Sequence, residues 1–465
     1  MKTQILTLML LTLFGVAMLT SCKKDVEPDP VAEKKGFDAI NAPGDFNWST
    51  LNKAAFEVQV TDVSGSPSAQ LNGFPLDATD LAGNLLQRSS VIDGKARFYL
   101  ELNKGINQVR VYAPSYQIES LLTLNGEAYV FQLPEALKST KTYTDSDGDG
   151  VFDDFDQFPE NPARAYMAYY PSPYSDGTGF KSGDDETLKW YYQMFEDLWP
   201  TEGDYDMNDL VIKMRMITYF DAQNKWTGGT FDFFIWTNGA GMKLGCGIEF
   251  VDYLSDVGNK MEFKYLNPDQ LTLDPGTYDN AHTMLDPDVT NSVIIFSDVT
   301  AVKSSNYWNT GHAGSANPMA DSISFSYSVA PPTYWMAGFL YLFRTDDRSH
   351  EIRPVGFPPT TAADWTLFGT HQDNSPTAAW DWTPGTIFLY PLDPPFYADE
   401  NLHPWGIELE YAGDLPVPFE RVSIVDAFPD FVAWAESGGT SFSTWYENPV
   451  ADPTKVFNVG DLITP

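Results

Sequence analysis

The stretch Asp145-Ser146-Asp147-Gly148-Asp149-Gly150-Val151-Phe152-Asp153-Asp154-Phe155-Asp156 sets carboxylates at loop positions 1, 3, 5, 9 and 12, with glycine at position 6. Calcium takes six to eight hard oxygen ligands, and a short loop of alternating carboxylates with a sharp turn at its sixth residue can wrap one ion. The expected ligands are therefore the side chains of Asp145, Asp147, Asp149, Asp153 and Asp156 and the backbone carbonyl of Val151. Position 12 carries Asp156 instead of a bidentate glutamate, and Phe158-Pro159 stands where a helix would continue. The alternative is a hydrated acidic linker.

A second cluster spans Phe195 to Ile212 (FEDLWPTEGDYDMNDLVI). Asp204, Asp206 and Asn208 alternate, so a looped backbone brings their oxygens together. Glu196 and Asp197 approach from the end of a preceding strand, and Asp209 completes the acidic set as a further candidate calcium ligand. The competing reading is an acidic loop whose Asp and Asn side chains bond to nearby backbone amides.

Short strands must position both clusters. Phe56, Val58 and Val60 alternate with polar residues, as do Ala96 to Leu102, Val109 with Val111, and Leu122 with Leu124. Asp93-Gly94, Lys104-Gly105 and Asn125-Gly126 supply turns. This predicts an antiparallel sandwich over 46–137, a calcium-binding junction over 138–162 and a second β-rich domain over 163–465. In that domain Leu188 to Met194 and Leu210 to Met216 alternate, and Thr230 to Trp236 pairs back through the 221–229 loop. One helical segment is expected at Ser423 to Ser437, interrupted by Pro429. The fold class is all-β, mainly antiparallel sandwiches, with a short C-terminal helical segment.

Composition narrows the partners. The 465 residues hold 64 Asp+Glu against 28 Lys+Arg, a net charge of −36, which argues against nucleic acid because its phosphates would be repelled. Between Asp145 and Asp209 there are 17 acidic and three basic residues, so a seventh of the chain carries over a third of the excess. Aromatics at 15% separate the chain from acidic disordered sequences.

The N-terminus reads Lys2, an apolar run from Ile5 to Met18, then Leu19-Thr20-Ser21-Cys22. The run is too short for a membrane span and has the flanks of a secretory signal. The last four residues resemble the bacterial lipobox, which implies removal of 1–21 and lipidation, including palmitate, of Cys22. Lys23-Lys24-Asp25 within the polar 22–45 tether resembles the surface-export signal of Bacteroidetes-type lipoproteins. That resemblance implies anchorage in the outer membrane with the body outside the cell.

Further resemblances follow from the motifs above. The 145–156 loop is similar to the helix-poor calcium repeats of thrombospondin type 3 and dockerin-like modules. Residues 46–137 loosely resemble prealbumin-like or carboxypeptidase-regulatory-like sandwiches. The Phe195–Ile212 stretch, the preceding DSDGDGVFDDFDQFPENPARAY and the tail from His403 to Gly439 resemble the LruC-domain family of bacterial lipoproteins, over roughly 145–446. By position, that family's acidic motif falls on Phe195, Glu196, Asp197, Trp199, Gly203, Asp204, Asp206, Asn208 and Asp209, with Met207 where an aromatic is more usual. It implies a β-rich surface domain without established catalysis.

Catalytic signatures are sparse. Histidines 282, 312, 350, 371 and 403 form neither H-x-H nor H-E-x-x-H, and G-x-S-x-G, P-loop and G-x-G-x-x-G patterns are missing. After Cys22 the one cysteine is Cys246, expected to be a buried structural thiol. Trp380-Asp381-Trp382 either stacks sugars around an acid or forms core strand, the structural reading being favoured. Three functions stay open: a calcium-stabilised surface binding or adhesion protein acting on a glycan or protein ligand, a glycan-capture or glycan-degrading lipoprotein, and a structural subunit of a surface assembly. The first leads.

Overall fold

Inward-facing apolar residues at every second position draw the chain into sheets. The computed structural model describes residues 36–124, 129–134, 142–171, 189–257, 260–302, 309–310, 322–333, 336–378, 380–390 and 392–458. The leader, Cys22 and the first part of the expected tether lie outside the described residues, as do Leu188 and His312.

The N-terminal sandwich comprises β1 (Leu51–Thr61), β2 (Pro75–Thr79), β3 (Leu85–Ser90), β4 (Lys95–Asn103), β5 (Gln108–Ala113), β6 (Ile118–Thr123) and β7 (Tyr129–Gln132). One sheet has the order β4-β1-β7 and the other β3-β2-β5-β6. Strand β1 pairs antiparallel with β4, setting Val58 opposite Ala96, and parallel with β7. Val58, Val60, Leu76, Phe98, Val109 and Val111 are fully buried between the sheets.

The larger region contains β8 (Tyr166–Tyr170), β9 (Lys189–Phe195), β10 (Leu210–Phe220), β11 (Trp226–Thr237), β12 (Leu244–Val257), β13 (Lys260–Tyr265), β14 (Leu271–Leu273), β15 (Met284–Leu285) and β16 (Ser292–Phe296). It continues with β17 (Ile323–Thr333), β18 (Met336–Arg344), β19 (Glu351–Ile352), β20 (Ile387–Tyr390), β21 (Gly406–Ala412), β22 (Val417–Pro418) and β23 (Val456–Phe457). One sheet runs β14-β17-β11-β10-β9-β21, with β8 also on β10; a second runs β15-β16-β12-β13-β20, with β18 on β12 and β19 on β18. Their inner faces meet through aromatic contacts such as Phe231–Phe250 at 5.8 Å and Phe250–Tyr327 at 5.0 Å. The all-β, mainly antiparallel expectation is met. The β10–β11 turn is tighter than expected, because the Asp221 amide already donates to the Lys225 carbonyl at 2.9 Å and β11 starts at Trp226.

The outer face of β9, β10 and β21 is also buried. Tyr192, Met194, Val211, Ile407 and Leu409 belong to one core with Ile424, Phe428, Phe431 and Trp434. A single turn, α1 (Val299–Val302), lies elsewhere, and the expected C-terminal helical segment folds as α2 (Ile424–Ala427) and α3 (Phe431–Glu436). Pro429 lacks the amide proton that a continuous helix needs, which separates the two. Among the described residues no helix is long and apolar enough to cross a membrane.

One boundary is corrected. The tether does not reach residue 45: Gly36–Ala39 form a 3-10 turn, and Phe37 is buried, stacked on Tyr205 with ring centroids 4.0 Å apart. The sandwich and the larger region pack together, the chain from Gly36 onward being one compact unit. The Tyr170 hydroxyl donates to the Tyr99 carbonyl at 2.8 Å, Tyr191 bonds the buried Glu101, and the Ser90 hydroxyl bonds that of Tyr166. An extended tether would tolerate any substitution at position 37. Phe37→Ala is instead expected to lower unfolding stability by about 3–5 kcal/mol, read by denaturant unfolding.

Candidate metal centres

The first centre is the 145–156 loop. Oxygens of Asp145, Asp147 and Asp149 lie within 4.8 Å of one another. The backbone curls so tightly because Gly148 and Gly150 take positive φ, +79° and +103°, which side chains rarely adopt. Asp145 accepts the amides of Gly148 and Gly150 at 2.8 and 3.1 Å, and the Val151 amide donates to Asp149 Oδ1 at 2.8 Å. Both oxygens of Asp145, and one oxygen each of Asp147, Asp149 and Asp156, thereby fix the loop. Asp147 Oδ2, Asp149 Oδ2 and Asp156 Oδ2 are buried with no hydrogen-bond partner. Asp153 is not among the converging oxygens, because both of its oxygens accept from Ser146, at 2.7 Å each. The Val151 side chain is buried in the core of the larger region, while Phe152 stacks on Tyr143 and meets Phe74 edge-on, so the loop is held from both sides.

The second centre sits in the β9–β10 hairpin. Phe195 pairs with Leu210, so the intervening residues form a loop whose two ends are neighbours. This brings Glu196 and Asp197 beside Asp209, and the Asp197 amide donates to Asp209 Oδ2 at 2.8 Å. Glu196, Asp204 and Asp206 each turn an oxygen to a common point, all within 4.8 Å. Glu196 and Asn208 are fully buried; Asp197 and Asp206 are 3% and 1% exposed, while Asp204 is exposed. Tyr205 and Met207, on either side of Asp206, take φ of +53° and +55°. That conformation costs non-glycine residues roughly 1–2 kcal/mol each. Burial of both side chains, the Tyr205–Phe37 stack and an amide bond from Ile424 to the Tyr205 carbonyl at 2.7 Å hold it.

Glu196 Oε1 accepts the Met207 amide at 2.7 Å, while Oε2 has no partner. A Cβ on Gly203 would collide with that free oxygen, so glycine there keeps its approach open. Asp206 is bonded on both oxygens, by the amides of Asn208 at 3.1 Å and Arg421 at 2.6 Å. The sequence does not single out Glu420. It comes from beyond β22 and leaves Oε2 buried and unpartnered, near enough to Asp204 for their charges to interact.

The electrostatics match an all-acceptor environment. Burial, then the neighbouring carboxylates, pushes Asp149 and Asp156 up to about 6 against the bonds that their amide donors supply. Burial and the charge of Asp204 raise Asp206 to about 8 and Glu420 to about 7. Glu196 and Asp209 are held well above the usual carboxylate range by burial first, then by the charge of Asp206 at Glu196 and of Glu196 at Asp209. No histidine or cysteine joins either cluster among the described residues. Hard oxygen donors alone suit calcium or magnesium over softer transition metals.

Other candidates fall away on geometry. Trp380 donates to the Tyr265 hydroxyl at 3.0 Å and Trp382 to the Pro359 carbonyl at 2.9 Å, while Asp381 caps Thr383, so the segment is structural. Cys246 is fully buried in β12, and burial pushes its thiol up. A cavity of about 80 Å³ lined by Glu249, Tyr265, Asn291, Thr361 and Trp382 is well below the ~300–1,000 Å³ of ordinary ligand sites, and Glu249 is already paired with Arg353 at 2.7 Å.

Residues 224–446 match the family described as Domain of unknown function (DUF4842). Both acidic stretches precede the matched region, whereas Glu420 lies inside it. A search of curated proteins gives no match. Among solved structures, a Bacteroides ovatus protein provisionally named a lipoprotein is similar at 13% identity, covering 83% of this chain and 100% of its own, with a TM-score of 0.40. The full-length major pilin RrgB of Streptococcus pneumoniae is similar at 8% identity over 62% of this chain and 48% of its own, with a TM-score of 0.12. At these scores neither carries fold or function across.

In metal-free protein the folded state holds protons on Asp149, Asp156, Glu420 and Asp206 more tightly than the unfolded chain does. Their stabilising contribution is complete below the ordinary carboxylate values of 3.8 and 4.5 and is lost as pH rises through about 6, about 7 and about 8 in turn. Chelator-treated protein should therefore lose stability between pH 4 and 8, and calcium should flatten that decline. Denaturant midpoints across this range, with and without chelator, check it.

Proposed function

We propose that the protein is a calcium-stabilised, lipid-anchored binding or adhesion protein of the cell surface, without catalytic activity. The observation that carries the calcium reading is the set of unpartnered inward oxygens: Asp147, Asp149 and Asp156 in one centre, Glu196 in the other. A buried acceptor left without a donor costs roughly 1–3 kcal/mol, more when it is charged. A divalent cation satisfies several such oxygens together and removes their mutual repulsion.

Calcium in the first centre stiffens the chain between β7 and β8, where the sandwich joins the larger region. In the second it pins the β9–β10 hairpin under the C-terminal segment. The result is a rigid β-rich body outside the cell, displayed from the outer membrane through acylated Cys22 and meeting a glycan or protein ligand with its surface. The acidic charge disfavours nucleic acid.

At a site Kd of ~10⁻⁴ M, about 1 mM calcium adds roughly 1.4 kcal/mol per centre by mass action. Melting curves in calcium and in chelator should differ in that direction. Asp147→Ala and Asp206→Ala should each remove part of the calcium response. Identical curves for wild type in calcium and chelator would sink the calcium reading.

A further inference from the structure

We infer that Glu420, facing Asn208, is an additional cation ligand of the second centre, so that its ion fastens the C-terminal segment onto the β9–β10 hairpin. This rests on the calcium reading above and adds to it a ligand from more than two hundred residues further along the chain.

Asn208 is fully buried, and its orientation is fixed. Its Nδ2 donates to the Pro418 carbonyl at 3.0 Å, so Oδ1 points the other way, where it has no partner. A side-chain amide faces a carbonyl with its nitrogen and leaves its oxygen for a donor or a cation. Glu420 Oε2 is the second unpartnered buried oxygen there. A Cβ on Gly239 would collide with Asn208 Oδ1 and would lie 2.6 Å from Glu420 Oε2, so both oxygens face one small space kept clear by a glycine.

Three backbone amides beside that space are already spent. The amide of Gly239 is spent on the Asn208 and Asp209 carbonyls, that of Glu420 on the Thr310 carbonyl, and that of Arg421 on Asp206 Oδ2. Two acceptors facing each other beside Asp206 are held together by a cation or by a bridging water. The surrounding negative charge favours the cation: Asp204 and Asp197 both act on Glu420.

The consequence concerns connectivity. The backbone groups of Pro418, Arg421 and Ile424 already bond to the 205–208 loop. An ion shared with Glu196, Asp204 and Asp206 turns those contacts into a latch between two parts of the chain that no strand pairing joins among the described residues.

The test is calorimetric calcium titration of the full chain as wild type, Asp147→Ala and Glu420→Gln, with melting curves of each in calcium and in chelator. Glu420→Gln should weaken the second centre by about tenfold or more, since charge count tunes calcium affinity, and leave the loop centre unchanged. Asp147→Ala should do the reverse. In chelator Glu420→Gln should melt no lower than wild type, because it relieves repulsion; a packing role would lower the melt in both conditions and overturn the inference. Wild-type titration of both centres by Glu420→Gln would also overturn it, leaving a bridging water and the calcium reading intact. Wild type binding no calcium at the second centre overturns both.

Discussion

Carboxylate and amide oxygens gathered without donors are the constraint around which the chain is organised. Most buried charge in this protein is paired: Arg353 meets Glu249 at 2.7 Å and Arg88 meets Asp77 at 2.7 Å. The acidic centres differ. They place several carboxyls side by side and leave some of their oxygens buried without donors, an arrangement that is costly unless protons or a cation occupy it. Protons do so in acid. Near neutral pH the proposed calcium takes their place.

Several local features serve that arrangement. In the first loop, glycines bend the backbone and amides grip one oxygen of Asp147, Asp149 and Asp156, leaving the other free. In the second, Tyr205 and Met207 adopt a strained backbone without glycine, and packing supplies what glycine would have made easy. That packing comes from both ends of the chain, Phe37 on one side and the α2–α3 helices on the other. The segment expected to be a loose tether therefore helps to hold the second centre.

Much of this was legible in the sequence. Period-2 alternation located β1, β4, β5, β9 and β10, and glycine in register at position 150 marked the first loop. The hairpin geometry that joins Glu196 to Asp206 follows from two strands flanking an acidic loop. Glu420 was not legible, because its partners are remote in sequence and its neighbours Phe419 and Arg421 carry no ligand pattern. The turning away of Asp153 was equally hidden, since Ser146 competes for it only once the loop is folded. Phe37 looked like part of a polar tether because its partners, Tyr205 and Phe431, lie far along the chain.

The most direct measurement is anomalous diffraction from crystals grown in calcium. The account predicts density for an ion at about 2.3–2.6 Å from Asp147 Oδ2 and Asp149 Oδ2, and for another at the same range from Glu196 Oε2. Ordered water alone at both positions, in crystals soaked in millimolar calcium, would contradict it.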